Sequence, residues 1–213
     1  MKLEEGIAAL GVELPAGAGE KLEMWLDLVE KWNRVYNLTS VRRREEMLTR
    51  HLLDCLAVLP HLDAAAARAE GPWCLLDVGS GAGLPGMVLA VARPQWSIDS
   101  VEAVDKKATF QRQAKIQLQL DNLNVHGQRV ESLHKRVDAV ISRAFSDAAQ
   151  FIARAGHLAD VLWAMKGVFP QAEIAMLPAT WRLQALHEIN VPGLDAERCL
   201  LQLEKIDTCT SSP

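Results

Sequence analysis

Leu75-Leu76-Asp77-Val78-Gly79-Ser80-Gly81-Ala82-Gly83-Leu84-Pro85-Gly86 decides the fold of this 213-residue chain. A short apolar run ends in an acid and then in glycines at alternate positions, the pattern of a buried strand turning sharply into a helix. Glycine at Gly79, Gly81 and Gly83 admits positive φ and lets a ligand approach the backbone without Cβ atoms in the way. Pro85 then suits the first turn of the helix, where its missing N–H is no loss. A purely structural turn would carry the same three glycines, so the flanking sequence has to separate the two.

The spacing narrows the ligand. Dinucleotide folds use G-x-G-x-x-G, in which the helix N-terminus faces a pyrophosphate. Here the third glycine comes one residue early, and Asp-x-Gly-x-Gly-x-Gly is the form typical of class I S-adenosylmethionine (AdoMet) methyltransferases. Downstream, strand and helix alternate, which predicts a mostly parallel sheet covered on both faces. A helix over Pro85–Ala92 leads to a strand over Trp96–Glu102, then a helix over Lys106–Leu120 with Gln, Lys and Arg on one side. Short strands are expected at Leu123–His126, Ala139–Ser142 and Val161–Met165. A hairpin-like pair, Leu183–Val191 and Cys199–Ile206, completes seven strands, and Thr208–Pro213 is expected to fray. Glu102 ends the second strand about twenty residues past the glycines, where nucleoside-binding folds place an acid for the ribose hydroxyls. Asp99 is a rival that falls mid-strand, and Asp105 reads as a helix N-cap.

Upstream, the apolar spacing predicts an amphipathic helix over Gly19–Tyr36 and a second over Glu45–Leu59 that Pro60 ends. A polar and basic connector, Tyr36 to Arg44, lies between them, and an alanine-rich helical spacer, Ala64–Ala69, follows. Residues 1–70 are therefore taken as a helical extension packed on a core of residues 71–213.

Composition excludes several classes. Hydrophobic residues make up 49% and charged residues 23%, which is globular rather than disordered. Cys55, Cys74, Cys199 and Cys209 form no C-x-x-C pair and no zinc spacing, so reduced thiols and no metal are expected. No secretory signal pattern and no apolar run of membrane-spanning length is visible, which points to a soluble, cytoplasmic protein with no membrane partner; a monomer is expected. The net charge of −4 argues against a generic nucleic-acid coat. Yet Lys31–Arg50 and Val104–Arg143 each carry a surplus of four positive charges, enough for a basic face on an acidic body or for ordinary solvated helices.

Taken together, Asn37-Leu38-Thr39, His51-Leu52-Leu53-Asp54-Cys55-Leu56, the glycine stretch, Asp105-Lys106-Lys107, Arg129-Val130-Glu131, Ser142-Arg143-Ala144-Phe145 and Lys166-Gly167 closely resemble the RsmG family, also called GidB. Those are the bacterial small-subunit ribosomal RNA guanine-N7 methyltransferases, and the resemblance spans nearly the whole chain. It implies a class I methyltransferase fold with a Rossmann-like seven-stranded sheet, AdoMet as cofactor, and a guanine in 16S ribosomal RNA, or the small ribosomal subunit, as substrate. By position, it implies cofactor contacts at Gly79, Leu84, Val130, Glu131 and Arg143; Gly81, Gly83 and Glu102 are added from spacing alone. Asn37, Arg42, Arg43, Lys106 and Lys107 are assigned to the RNA. The chain departs from the family at Cys55, Glu102 and Cys199, of which only Glu102 touches the expected site, and a glutamate still accepts hydrogen bonds from both ribose hydroxyls.

The chemistry agrees with what is missing. Guanine N7 offers a lone pair and no proton, so no general base is required. The Asn/Asp-Pro-Pro-aromatic run of amino-group methyltransferases and the Pro-Cys of cytosine-C5 enzymes are both absent. Arg143 is therefore assigned to orienting the guanine or the cofactor. Phe145 reads as a base-stacking ring or, more often for such a position, as core. His51, His126 and His134 are expected to be structural. A methyltransferase for another RNA or a small molecule, and a noncatalytic RNA-binding module, are the alternatives on the same fold.

Overall fold

The computed structural model describes residues 1–145 and 147–206. Expectations for Cys209 and for fraying at Thr208–Pro213 lie outside the described residues. Seven strands form one mixed sheet in the order β3-β2-β1-β4-β5-β7-β6. They are β1 (Cys74–Val78), β2 (Ser97–Val101), β3 (Leu123–His126), β4 (Ala139–Ser142), β5 (Val161–Lys166), β6 (Trp181–Glu188) and β7 (Cys199–Lys205). The first five run parallel, and β7 inserts antiparallel between β5 and β6. This is the α/β sheet expected from the alternation. The order reverses between β1 and β4, which opens a crevice at their carboxyl ends.

Successive strand residues point to opposite faces, so the buried strands feed two cores. Leu75, Ile98, Ile141 and Leu200 pack on one side. Leu76, Val101, Val140 and Leu201 pack on the other. The first side is covered by α6 (Gly86–Ala92), α7 (Asp105–Leu118) and the N-terminal helices, and the second by α8 (Ala148–Ala155), with α9 (Gln171–Ala175) beside it.

The N-terminal region comprises α1 (Leu3–Leu10), α2 (Ala18–Tyr36), α3 (Arg44–Met47), a π-helical stretch Leu48–Leu53, α4 (Asp54–Leu56) and α5 (Leu59–Ala66). Its apolar residues share one cluster with the sheet, Trp25, Leu52 and Leu56 beside Leu75 and Met87. The single helix expected over Glu45–Leu59 is instead α3, a π turn and α4, with α5 beginning at Leu59. The wider π turn, in which the Asp54 N–H reaches the Thr49 carbonyl, breaks the amphipathic period, so that His51 through Leu59 are all buried. Pro60 does not end a helix either. It lies in the first turn of α5, where a residue without an N–H leaves no bond unmade.

Two smaller expectations also shift. Asp105 is the first residue of α7 rather than its cap; the cap position falls to Val104, whose N–H donates to the Glu102 carboxylate at 2.8 Å. Gln111 does not belong to a solvent-facing polar side. It is fully buried and bonded to the glycine turn.

Candidate active site

The glycine turn leaves β1 through three residues of positive φ, Gly79 (70°), Gly81 (57°) and Gly83 (86°). At Gly79 there is also no room for a side chain, since a Cβ would lie 2.8 Å from the Ala144 Cβ beyond β4. The turns after β1 and β4 thus touch. Ser142 ties them further, donating to the Val78 carbonyl at 2.7 Å while accepting the Ala144 N–H at 3.0 Å.

A buried polar network holds the turn from below. The Ser80 and Ser100 hydroxyls lie 2.6 Å apart, and the Gln111 amide reaches the Ser80 hydroxyl and the Gly81 carbonyl, both at 2.8 Å. From the other side, the Trp25 indole N–H donates to the Ala82 carbonyl at 3.2 Å. The N-terminal helices therefore help shape the turn, and a fully satisfied buried network of this kind specifies one conformation. None of Ser80, Ser100, Gln111 or Trp25 was singled out from the sequence, because nothing in their spacing distinguishes a turn-supporting residue from ordinary core or surface.

Two carboxylates face the turn. Glu102 leaves the end of β2, only 6% exposed, and accepts the Gly81 N–H with one oxygen and the Val104 N–H with the other, both at 2.8 Å. A carboxylate offers about four lone-pair directions, so both oxygens retain capacity for ribose hydroxyls. Asp77 is fully buried, accepts the Gly86 N–H at 2.8 Å through Oδ2, and has no partner for Oδ1 among the described residues. Burial pushes Asp77 up to about 7, against the pull of the Gly86 N–H and of the Arg143 charge. An unpartnered buried acceptor beside a glycine turn is what a cationic or N–H-bearing ligand would satisfy. Its acid was visible in the motif, but not its burial.

Arg143 stands just past β4. Its guanidinium donates to the Cys55 sulfur at 3.3 Å and to the Arg50 carbonyl at 3.2 Å, and lies 3.5 Å from the Asp54 carboxylate. Burial pushes the Cys55 thiol up to about 12, so the thiol is neutral and Asp54 is the charge partner. Phe145 stacks on Phe151 at 5.0 Å, the core placement. Val130 is buried on a single 3-10 turn after β3, and Leu84 is buried beside the glycines. Glu131 turns outward, with an ion pair to Arg154 at 3.6 Å and about half its surface exposed.

The residues assigned to RNA divide into two groups. Arg42 donates to the Asn37 side chain at 2.7 Å and to the Asn33 carbonyl at 3.0 Å, and Arg43 lies 3.6 Å from Glu46. Their neighbour Arg44 is held by Glu23, Asp27 and Glu30. Lys106 and Lys107, in the first turn of α7, form no ion pair among the described residues. Two of the histidines have side-chain partners, although the buried His51 Nδ1 has none among the described residues. His51 Nε2 is 2.9 Å from the Thr39 hydroxyl, and His126 is 2.8 Å from Asp99. Among the described residues, no group of three or more His, Cys, Asp or Glu side chains could hold a metal ion, and no helix is long and apolar enough to cross a membrane.

A seven-stranded sheet with a reversed antiparallel tail, a glycine turn after β1 and an acid at the end of β2 defines a class I methyltransferase. Solved structures of that class share the fold. The magnesium protoporphyrin IX methyltransferase of Synechocystis PCC 6803 with bound SAM has a TM-score of 0.58 at 15% identity, over 87% of this chain and 97% of that one. A SAM-dependent methyltransferase from Aquifex aeolicus has a TM-score of 0.55 at 16% identity, over 75% and 93%. The family model for GidB, rRNA small subunit methyltransferase G, matches residues 18–201. The ribosomal RNA small subunit methyltransferase G of Azoarcus sp. strain BH72 is 49% identical over 96% of this chain and 95% of that protein. Its counterpart in Methylobacillus flagellatus is 50% identical over 95% and 96%. The chain belongs to the GidB family of small-subunit ribosomal RNA methyltransferases.

Proposed function

We propose that this protein transfers a methyl group from AdoMet to N7 of a guanine in the 16S RNA of the small ribosomal subunit, acting as a cytoplasmic monomer. The observation that carries this is the pairing of a free buried carboxylate oxygen, Asp77 Oδ1, with a fixed carboxylate, Glu102, around a turn whose three glycines all have positive φ. The cradle fits AdoMet. Glu102 accepts the ribose hydroxyls, Asp77 faces the amino end, and the backbone of Gly79, Gly81, Gly83 and Leu84 lies against the cofactor. Val130 and Glu131 border the base, Glu131 after exchanging Arg154 for the ligand or through its backbone.

When bound, the cofactor supplies an electrophilic methyl group on a sulfonium. The chain's task is then to hold a guanine with N7 aimed at it and to keep water out, since N7 has no proton to lose. Arg143, fixed by Asp54 and the Arg50 carbonyl just past the end of β4, orients the base. Asn37, Arg42, Arg43, Lys106 and Lys107 hold the flanking phosphates, with Arg42 and Arg43 giving up their present partners.

The test is a single-turnover pH profile with RNA pre-bound, together with mapping of the modified nucleotide. The rate should show no obligatory deprotonation between about pH 6 and pH 8.5, because a required base would impose its own pKa. A tenfold fall per pH unit on the acid limb, removed by changing one histidine, would transfer the target to a protonated atom such as an exocyclic amine.

A further inference from the structure

We propose that the ridge formed by α2 and α7 is an RNA-binding surface of its own, on which an unpaired nucleotide flanking the target stacks against Tyr36. This rests on the RNA substrate proposed above. The two helices lie along each other. At one end the Lys21 ammonium donates to the Gln119 carbonyl at 3.3 Å, and further along Trp32 meets Phe110 edge-on with ring centres 5.5 Å apart. That packing joins the two basic windows that the sequence keeps apart.

The free cations are only in part the ones the sequence favoured. Lys31 and Arg34 on α2, like Lys106 and Lys107 on α7, form no ion pair among the described residues, whereas Arg42, Arg43 and Arg44 all have partners. One of them, Lys31, lines a groove of about 410 Å³ together with Trp32, Val35, Tyr36, Gln113 and Gln117. Val35 is 70% exposed and Tyr36 42%.

Tyr36 is already ordered for stacking. Its ring rests on Trp32 at 5.2 Å, and Trp32 rests on Phe110, which is fully buried. A row of three aromatics thus runs from the core to a surface ring, which reduces the side-chain entropy lost when a base stacks on it. The Gln113 and Gln117 amides add donors and acceptors beside the ring, and the lysine and arginine charges suit the phosphates on either side.

A protein partner is the poorer fit. A stable protein interface covers about 800 Å² on each side, with charge depleted at its centre. Here the exposed apolar side chains are Val35 and Tyr36, with Ile116 further along α7, and the Lys31 cation lines the same groove. Position also argues for a flanking nucleotide rather than the target. Gln113 and Gln117 lie about 12 and 18 Å along α7 from its first residue, at 1.5 Å per residue, and α7 begins just beyond Glu102.

The experiment measures equilibrium binding of the full chain to an in-vitro transcript of small-subunit ribosomal RNA and to the protein-bearing small subunit. Melting temperature and AdoMet affinity serve as controls. Tyr36→Ala should weaken transcript binding by about fivefold to a hundredfold, the range for losing one stacked base, and Tyr36→Phe should restore it. Lys31→Ala and Arg34→Ala should each lower the salt slope by about one. Val35→Glu, at a position too exposed to affect folding, should also weaken binding while leaving AdoMet affinity unchanged. A wild type that binds the transcript, with Tyr36→Ala and Val35→Glu binding equally well, would overturn the groove alone. Weakening seen only against the protein-bearing subunit would assign the groove to a ribosomal protein and overturn it likewise. A wild type that binds neither substrate would overturn the RNA substrate itself.

Discussion

The Asp54 carboxylate lies 3.5 Å from the Arg143 guanidinium and 3.0 Å from that of Arg198, so one buried acid joins the N-terminal helices, the turn after β4 and the start of β7. Removing one member of such a set leaves a charge without its counterpart. Asp54→Asn should lower stability by about 2 kcal/mol, less than for a fully enclosed pair because the guanidiniums are 25% and 26% exposed. Because Arg143 then loses its anchor, the single-turnover methylation rate should fall on the order of a hundredfold, with AdoMet affinity changed far less. A rate loss no larger than the stability loss explains would refute the positioning role.

Gly79 and Gly81 separate two kinds of glycine requirement. Both have positive φ, but only at Gly79 would a Cβ meet another atom, Ala144 Cβ at 2.8 Å. Gly81→Ala should cost about 1–2 kcal/mol, the penalty of left-handed backbone alone. Gly79→Ala should cost more and should abolish AdoMet binding by calorimetry, because the β1 and β4 turns must move apart.

Asp77 should make cofactor binding release a proton. Burial raises this carboxyl to about 7, so near neutral pH part of the free protein carries it protonated. A cationic amino group against Oδ1 favours the ionised form and expels the proton. Calorimetry at pH 6.5 in two buffers of different ionisation enthalpy should show the release, AdoMet affinity should rise between pH 6 and 8, and Asp77→Asn should remove both effects.

Stability should respond to pH through two buried groups of opposite sign. Burial lowers His51 to about 4, and the fold holds it neutral. The unfolded chain takes up that proton once pH falls below about 6.5, so His51 costs the native state up to about 3 kcal/mol between pH 6.5 and 4. Asp77 acts the other way. Its raised pKa means the native form binds the proton first, so its contribution improves as pH falls from about 7 toward 3.8. Denaturant melts of His51→Gln and Asp77→Asn against the unmutated protein should give difference curves of opposite slope over that range.

Much of the molecule was determined by the sequence alone, and for local reasons. A short apolar run ending in an acid and alternating glycines reads as a buried strand running into a tight turn, so Gly79, Gly81, Gly83 and the acid at Glu102 were legible from spacing. The strand and helix alternation likewise specified the sheet, because parallel strands need crossover helices. Local pattern could not decide the orientation of side chains whose partners lie far along the chain. The π turn at Leu48–Leu53, the burial of Gln111 beneath the glycines, and the joining of Asp54 to an arginine 144 residues away depend on which elements meet in space. The basic windows show the same division. Their surplus charge is a property of composition, but which cations are free is not. Arg44 is consumed by three acids of α2 while Lys31 and Arg34 remain unpaired among the described residues, and only the packing of helices against one another sorts them.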